Sequence, residues 1–303
     1  MKLKWEKKGV IYCPSNEREW ANNSALQPTP YLLDEDTIRV YCGFRDKNGV
    51  GRVGFVDVAA KNPSIIKFIS KTPALDIGEP GMFDDNGVVP THVLKVGNSI
   101  YLYYAGYCLL DKVRFFAFTG LAVSRDGGLN FVRYQNFPIT DRRNKEELFR
   151  VIHTIFYDEN KYKAWYGGGN HFIEGKYKTL PVYDIRYMES SDGIKFPDCG
   201  EIAITIPNGC HRVGRPWVYK ENAIYKMFYG YGSEAHPYKL AYATSIDGIA
   251  WDAQDINLTL FSSGFDSQMM AYPAFIKVNG CGFLFYNGND YGKTGIGYAK
   301  LLC

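Results

Sequence analysis

The hexapeptide YKMFYG (225–230) is an aromatic strand that closes on a glycine, and it does not stand alone. RVYCG (39–43), YLYYAG (101–106), YKAWYGG (162–168) and FLFYNG (283–288) repeat its form. The closing glycines stand at 43, 106, 168, 230 and 288, separated by 63, 62, 62 and 58 residues. A period of this size marks a repeat architecture. Each aromatic strand has a partner before it: PYLL (30–33), PTHVLKV (90–96), HTIFY (153–157), PWVYK (216–220) and PAFIKV (273–278). A third strand follows after a loop: VGFVDV (53–58), TGLAVS (119–124), YDIRYMES (183–190), YKLAYATS (238–245) and TGIGYAKL (294–301).

Three of the third strands end in related phrases, SRDGGLNF (124–131), SSDGIKF (190–196) and SIDGIAW (245–251). Ser, Asp and Gly suit a tight turn into a fourth strand, with Asp accepting backbone amides and Gly supplying positive φ. Asp126, Asp192 and Asp247 are therefore read as turn residues. Four antiparallel strands repeated five times predict an all-β, five-bladed β-propeller. One domain fills residues 1–303, with four-stranded blades. The last repeat lacks a fourth strand, and LKWEKKGVIY (3–12) is expected to supply it, with Trp5 in the place of Trp251 and Phe196. Such closure removes an unpaired sheet edge.

Composition agrees. Hydrophobic residues make up 46% of the chain, enough for a sizeable core, and 24 Tyr, 19 Phe and 31 Gly favour strands and turns. The net charge of +3 is too small to predict a nucleic-acid partner. Seven cysteines are scattered without a CxxC pair, which suits a reducing compartment and gives no zinc spacing. No metal and no cofactor are expected. The N-terminus lacks an apolar signal core, and no apolar run reaches the ~20 residues of a membrane helix. A cytoplasmic protein without a membrane span is expected.

In an alternating blade, the start of strand one and the loop between strands two and three share a face. That rim is the natural concavity of a propeller. It is expected to gather Arg45, Asp85, Arg150, His153, His171, Arg212, Arg215, Glu234, His236, Asp266, Tyr272 and Asn289. Arginines together suit carboxylate or phosphate, and Tyr and Asn suit sugar faces and hydroxyls. Arg212 and Arg215 are expected to meet an acid, Asp85 or Asp266, or a ligand.

GFRDKNGVGRVGFVDV (43–58), GMFDDNGVVPTHV (81–93), GRPWVYKENAIYKMFYGYG (214–232), YATSIDGIAW (242–251) and YNGNDYGKTGIGYA (286–299) carry a resemblance over nearly the whole chain. The layout resembles the five-bladed propellers of glycoside hydrolase families 43, 32, 68 and 130. It is most similar to propellers associated with bacterial surface-polysaccharide gene clusters. Families 43 and 32 place three acids at the starts of inner strands. Asp85 matches one such position, whereas Gln27 to Thr29 and Arg150 to His153 depart from the other two. The basic rim fits the phosphate-using pattern of family 130 better.

The resemblance implies a carbohydrate-active enzyme that cleaves or transfers a glycosyl unit on an anionic or phosphate-bearing glycan. Asp85, Asp266 or Glu234 would be the catalytic carboxyl, and the arginines and histidines would hold the substrate. The alternatives are a non-catalytic glycan-binding propeller and a transferase of a non-sugar group. The expected partner is a glycan, a sugar phosphate or a nucleotide sugar.

Overall fold

The computed structural model describes residues 2–302. The fold is all-β. Strand β1 (Trp5–Tyr12) is followed by four sets. These are β2 (Asn23–Asp34), β3 (Thr37–Arg45), β4 (Gly51–Ala59) and β5 (Asn62–Ile69), then β6 (Val88–Val96), β7 (Ser99–Leu109), β8 (Phe115–Ser124) and β9 (Val132–Arg133). Next come β10 (Phe149–Asp158), β11 (Lys161–Glu174), β12 (Thr179–Ser190) and β13 (Glu201–Ile204), then β14 (Arg212–Glu221), β15 (Ile224–Gly232), β16 (Lys239–Ser245) and β17 (Asp252–Gln254). Finally β18 (Ala271–Val278), β19 (Cys281–Asn287) and β20 (Ile296–Leu301) join β1, which pairs antiparallel with β20.

Helix is confined, among the described residues, to one turn at Asn289–Gly292, within which Asp290 and Tyr291 have φ of 53° and 54°. No helix is long and apolar enough to cross a membrane. Cys303 lies outside the described residues, and the other six cysteines are unbridged.

Hydrogen bonding does not keep all the sets apart. Two sheets have four strands, and β6 to β17 form a twelve-stranded sheet. The joins are short parallel contacts, Phe149 and Arg150 beside Ala117 and Phe118, and Tyr183 beside Arg212. They arise where the first strand of one set starts alongside the third strand of the set before. The first strands touch in cyclic order: β2 meets β6, β6 meets β10, β10 meets β14, β14 meets β18, and β18 returns to β2.

Every first strand is bulged at the same level. The pairing slips between Leu26 and Thr29, Pro90 and His92, Ile152 and Thr154, Gly214 and Trp217, and Ala271 and Ala274. A bulge re-aims a side chain and is common beside functional sites. Gln27, Arg215 and Tyr272 sit in three of these bulges at φ of 51°, 56° and 55°, a region costly for residues with a Cβ.

The recurrent Ser-x-Asp-Gly phrase does more than turn the chain. In SIDGIAW, Asp247 Oδ1 accepts the amides of Ile249 and Ala250 at 2.8 and 2.9 Å, and Ser245 Oγ accepts that of Gly248 at 2.8 Å. The Gly248 carbonyl then accepts the indole N–H of Trp165 from the preceding set at 2.7 Å. Likewise Tyr103 donates to Gly193 O at 3.0 Å, and Tyr41 to Gly128 O at 2.8 Å. The phrase recurs because each turn latches an aromatic of the neighbouring set.

The closing glycines also have a packing cause. A Cβ on Gly106 would stand 2.4 Å from Phe83 and 2.6 Å from Asp84, and one on Gly288 2.1 Å from the carbonyl oxygen of Phe265. The segment entering each of these sets crosses directly over the glycine. In three sets that segment carries a buried carboxylate twenty residues before a strand-two tyrosine. Tyr104 donates to Asp84 at 2.9 Å, Tyr166 to Glu146 at 2.5 Å and Tyr286 to Asp266 at 2.9 Å. A cation completes each clasp: Arg133 with Asp84, Arg150 and Arg186 with Glu146, and Lys7 with Asp266.

Candidate functional site

The first residue placed by this geometry is Arg215. Its bulge points the guanidinium into the centre of the ring of first strands, where the side chain is 2% exposed. Nη1 donates to Thr91 O at 2.6 Å, and Nη2 to Thr29 Oγ1 at 3.0 Å and Pro28 O at 3.2 Å. The expected ion pair with Asp85 or Asp266 does not form; carbonyl and hydroxyl oxygens from neighbouring first strands take its place. Burial lowers the guanidinium pKa to about 9. Arg215 is thus a charged plug in the axis.

Around it lies a wall of tyrosines. Tyr183 and Tyr238 hydroxyls are 2.8 Å apart. Tyr272 packs 6.0 Å from Tyr238 and 6.2 Å from Tyr291 between ring centres. Tyr107 feels the charges of Arg45, Arg215 and Arg114, while burial pushes its hydroxyl up to about 12. Burial also raises Tyr183, Tyr238 and Tyr272. These hydroxyls stay protonated at neutral pH and can donate.

Cations adjoin these tyrosines. Arg212 lies between the rings of Tyr238 and Tyr291, at 4.9 and 5.2 Å, and donates to the Tyr291 hydroxyl. Burial lowers Arg114, and the charges of Arg212 and Arg45 lower it further. Lys178 is lowered by burial and then by Arg114 and Arg212, with Glu234 opposing. Arg45, Arg114, Lys178 and Arg212 therefore share one electrostatic neighbourhood. None of them forms an ion pair among the described residues. The arginines of the body differ sharply. Arg39 grips Asp57 through two 2.8 Å bonds, and Arg52, Arg133, Arg150 and Arg186 are all paired.

The histidines beside the axis are neutral. His211, 5% exposed, is lowered to about 4 by burial and then by Arg212. His153 is pushed well below its ordinary value by burial and then by Arg215.

Asp266, Arg150 and Asn289 are tied into the body, and the remaining expected members have other partners. Asp266 is wholly buried in its clasp with Lys7 and Tyr286, so it does not reach the rim. Arg150 is 1% exposed and turned into the body, with Nε 2.7 Å from Glu146 and Nη2 on Pro197 O. Asn289 has both amide ends occupied: Oδ1 accepts from Gln268 at 2.8 Å and Met269 at 3.1 Å, and Nδ2 donates to Gly264 O at 3.0 Å. Asp85 accepts the amide of Gly81 at 2.9 Å and ties its turn. His171 and His236 are exposed; the His171 ring lies 2.8 Å from Asn170 Oδ1. Glu234, also exposed, accepts the Lys176 amide at 3.1 and 2.9 Å, and its charge reaches Lys178.

Arg114, Lys178, Tyr107, Tyr183 and Tyr238 were not expected at the site. Arg114 and Lys178 stand in the loops between the second and third strands of their sets, the same loop type that singles out Arg45, so the signal was present in the repeat. Two cavities, of about 380 Å³ beside His92 and Trp217 and about 270 Å³ beside Tyr187 and Cys199, lie away from this rim. The first contains the matched pair Lys220–Asp158 at 2.7 Å, and the Glu189 lining the second is paired with Lys161. Unmatched charge, not volume, marks the rim as the candidate site. No group of three or more His, Cys, Asp or Glu that could hold a metal ion occurs among the described residues.

No protein-family model matches the chain. A protein of Mycobacterium tuberculosis (strain H37Rv), described as "Uncharacterized protein Rv1502", is 30% identical over 302 residues, 99% of both chains. Among solved structures, a glycosyl hydrolase from Bacteroides ovatus has a TM-score of 0.71 at 13% identity, covering 99% of this chain and 94% of that one. A thermostable family-43 glycoside hydrolase gives 0.66 at 18%, covering 92% and 88%. The β-1,2-mannobiose phosphorylase from Listeria innocua gives 0.69 at 13%, covering 99% and 96%. These likenesses establish the fold, that of the propeller glycoside hydrolases.

Proposed function

We propose that this chain, which belongs to the same family as the Mycobacterium tuberculosis protein Rv1502, is a single five-bladed propeller over residues 1–303 that cleaves or transfers a glycosyl unit on an anionic glycan. The blades would be the five sets of strands, the last completed by β1. The site would be the tyrosine-walled rim above Arg215. The observation that carries the reading is the set of Arg45, Arg114, Lys178 and Arg212, which form no ion pair among the described residues, whereas Arg39, Arg52, Arg133, Arg150 and Arg186 in the body all do. Arg45 and Arg212 are half-buried and Arg114 and Lys178 exposed, so an anion could reach all four, and an anion would offset the half-buried charges.

Tyrosine rings and hydroxyls would take the faces and hydroxyls of the sugar. The fold relatives include a glycoside hydrolase and a phosphorylase, which supports glycan chemistry. Glu234 is the carboxyl best placed to exchange a proton with the glycosidic oxygen, since it stands among the cations. Asp85 is the second candidate. A cytoplasmic role in surface-polysaccharide metabolism agrees with the unbridged cysteines.

Withdrawal of Asp266 into its clasp favours a second reading, a propeller that binds an anionic glycan without turning it over. Incubation with acidic oligosaccharides and sugar phosphates, followed by product analysis, separates the two. The catalytic reading expects Glu234→Gln to lower turnover by about 100-fold while leaving binding intact. Saturable binding with no product establishes the second reading. Unchanged turnover in Glu234→Gln and Asp85→Asn removes both carboxyls from the reaction.

A further inference from the structure

The larger of the two cavities lies toward the opposite end of the first strands from the rim. Arg212 opens β14 at the rim, and Lys220, which lines the cavity, stands eight residues further on, roughly 20–25 Å away at about 3.3 Å per residue. Four sets contribute: His92 from β6, Phe156 to Asp158 from β10, Trp217 to Lys220 from β14, and Phe275 from β18. Its volume of about 380 Å³ falls within the roughly 300–1,000 Å³ of small-molecule sites. Between it and the rim stand Arg215 and Trp217, with guanidinium and ring 5.6 Å apart. Tight turns hold its mouth. β10 reverses through Glu159 and Asn160, and β14 through Asn222 and Ala223, all four at φ of 51° to 64°. Two-residue turns of this hand match the twist of the strands they join.

Three features define what this cavity can hold. Its surface is aromatic: Trp217 and Phe275 are buried, Tyr219 stacks on Phe275 at 4.7 Å, and Tyr157, 57% exposed, is held 5.1 Å from Tyr162 across the hairpin. Its charge is balanced: Asp158 pairs with Lys220 at 2.7 Å, and the neighbouring Glu159 with Lys163 at 2.6 Å. Hydrogen-bonding groups remain free: the hydroxyls of Tyr157 and Tyr219 bond to no described residue. Matched charges give an ionic ligand no advantage here. An aliphatic ligand would strip water from the two hydroxyls and offer nothing in exchange. A pyranose has an apolar C–H face that suits the negative face of an aromatic ring, and a periphery of hydroxyls that suits phenols and an ion pair. We propose that this cavity is a second binding site, taking one uncharged pyranose unit of a glycan against Tyr157, Tyr219 and Trp217. It is independent of the rim chemistry, and a glycan held here lies outside the reacting site.

Ligand-observed NMR titration of the full chain tests this with four neutral hexaoses, those of α-1,4-glucose, β-1,4-glucose, β-1,4-xylose and β-1,4-mannose. At least one should bind with a Kd of about 1 mM or tighter. Tyr157→Ala should weaken it by about tenfold, the loss of one aromatic contact. Tyr219→Phe, which keeps the ring and removes the hydroxyl, should weaken it by about threefold or more. Thermal unfolding checks that both variants remain folded, and Tyr157→Leu replaces the first if it does not. Failure of all four hexaoses to bind overturns the inference, as does an affinity that both variants leave unchanged. Binding of 1-hexanol that Tyr157→Ala weakens, with no hexaose bound, overturns the sugar assignment and makes the cavity an apolar site. Hexaose binding lost in Arg114→Gln with Lys178→Gln but kept in Tyr157→Ala puts the glycan at the rim, which overturns the second site and leaves the rim reading standing. Hexaose binding that follows Tyr157, in a protein that forms no product from acidic oligosaccharides, upholds the second site and refutes only the catalytic reading.

Discussion

Acid should weaken this fold well above the pH at which carboxylates protonate, because buried histidines are held neutral near its axis. His92, packed 5.3 Å from Trp217, is lowered to about 3 by burial and then by Arg215, with a hydrogen bond to the backbone of Ile155 opposing. His211 is lowered to about 4. In the unfolded chain each returns to an ordinary value of about 6.5. A folded pKa below the unfolded one means that the unfolded state binds protons first. The stability is present above pH 6.5 and is lost as the pH falls toward the folded values. From pH 7.5 to pH 5 His92 and His211 should each cost about 2 kcal/mol, and His153, held neutral beside Arg215, adds to the loss in the same direction. Carboxylates add little in this window, because their unfolded values lie near 4. Urea unfolding followed by tryptophan fluorescence at the two pH values measures the loss directly. His92→Phe and His211→Gln should each remove about 2 kcal/mol of it. Equal unfolding free energies at pH 7.5 and 5 would refute the reasoning. So would a double variant that keeps the whole loss, since the responsible groups would then lie elsewhere.

Two other perturbations separate scaffold from site. Asp266→Asn should destabilise by about 3 to 5 kcal/mol, because it leaves Lys7 buried beside a neutral amide. Its effect on ligand affinity at the rim, measured on the folded fraction, should be small, and a selective loss of turnover would return Asp266 to the reaction. Gly288→Ala should cost about 3 kcal/mol or more by denaturant unfolding, since its Cβ would meet the backbone carbonyl of Phe265 at 2.1 Å. Gly43→Ala should cost about 1 kcal/mol, because its Cβ would meet only the Val89 methyls at 3.1 and 3.2 Å, which can shift. Equal costs at the two glycines would contradict this distinction between backbone and side-chain neighbours.

The repeat was legible because its period follows from local chemistry. Aromatic strands, closing glycines and Ser-x-Asp-Gly turns each fix their own neighbourhood, and the five copies fall near 60 residues apart. Pairing of β1 with β20 was likewise readable from the shortage of one strand in the last repeat. The joins at Phe149 and Tyr183 were not, because a contact of one or two residues leaves no pattern in the chain. Strand topology also assigns residues to a face without saying which way they point. Arg150 and Asp266 stand in rim segments and turn into the body, where Glu146 and Lys7 await them. Glu146 carries the signal that distinguishes these roles: its twenty-residue spacing to Tyr166 is shared by Asp84 with Tyr104 and by Asp266 with Tyr286. Such an acid has a partner fixed by the repeat.

That distinction bears on how the same scaffold can expose charge at one face. Asp84, Glu146 and Asp266 are satisfied by a tyrosine from their own set and by a nearby cation, Arg133, Arg150 with Arg186, or Lys7. They draw those cations into the body and leave none of their own negative charge at the rim. The loops between second and third strands retain Arg45, Arg114 and Lys178 without partners, and Arg212 joins them from the start of β14. Segregation of acids into the clasps, rather than a large net charge, makes the rim positive on a chain whose overall charge is only +3. Under the proposed function, the ligand selected by this field would be anionic, although composition gives little hint of it.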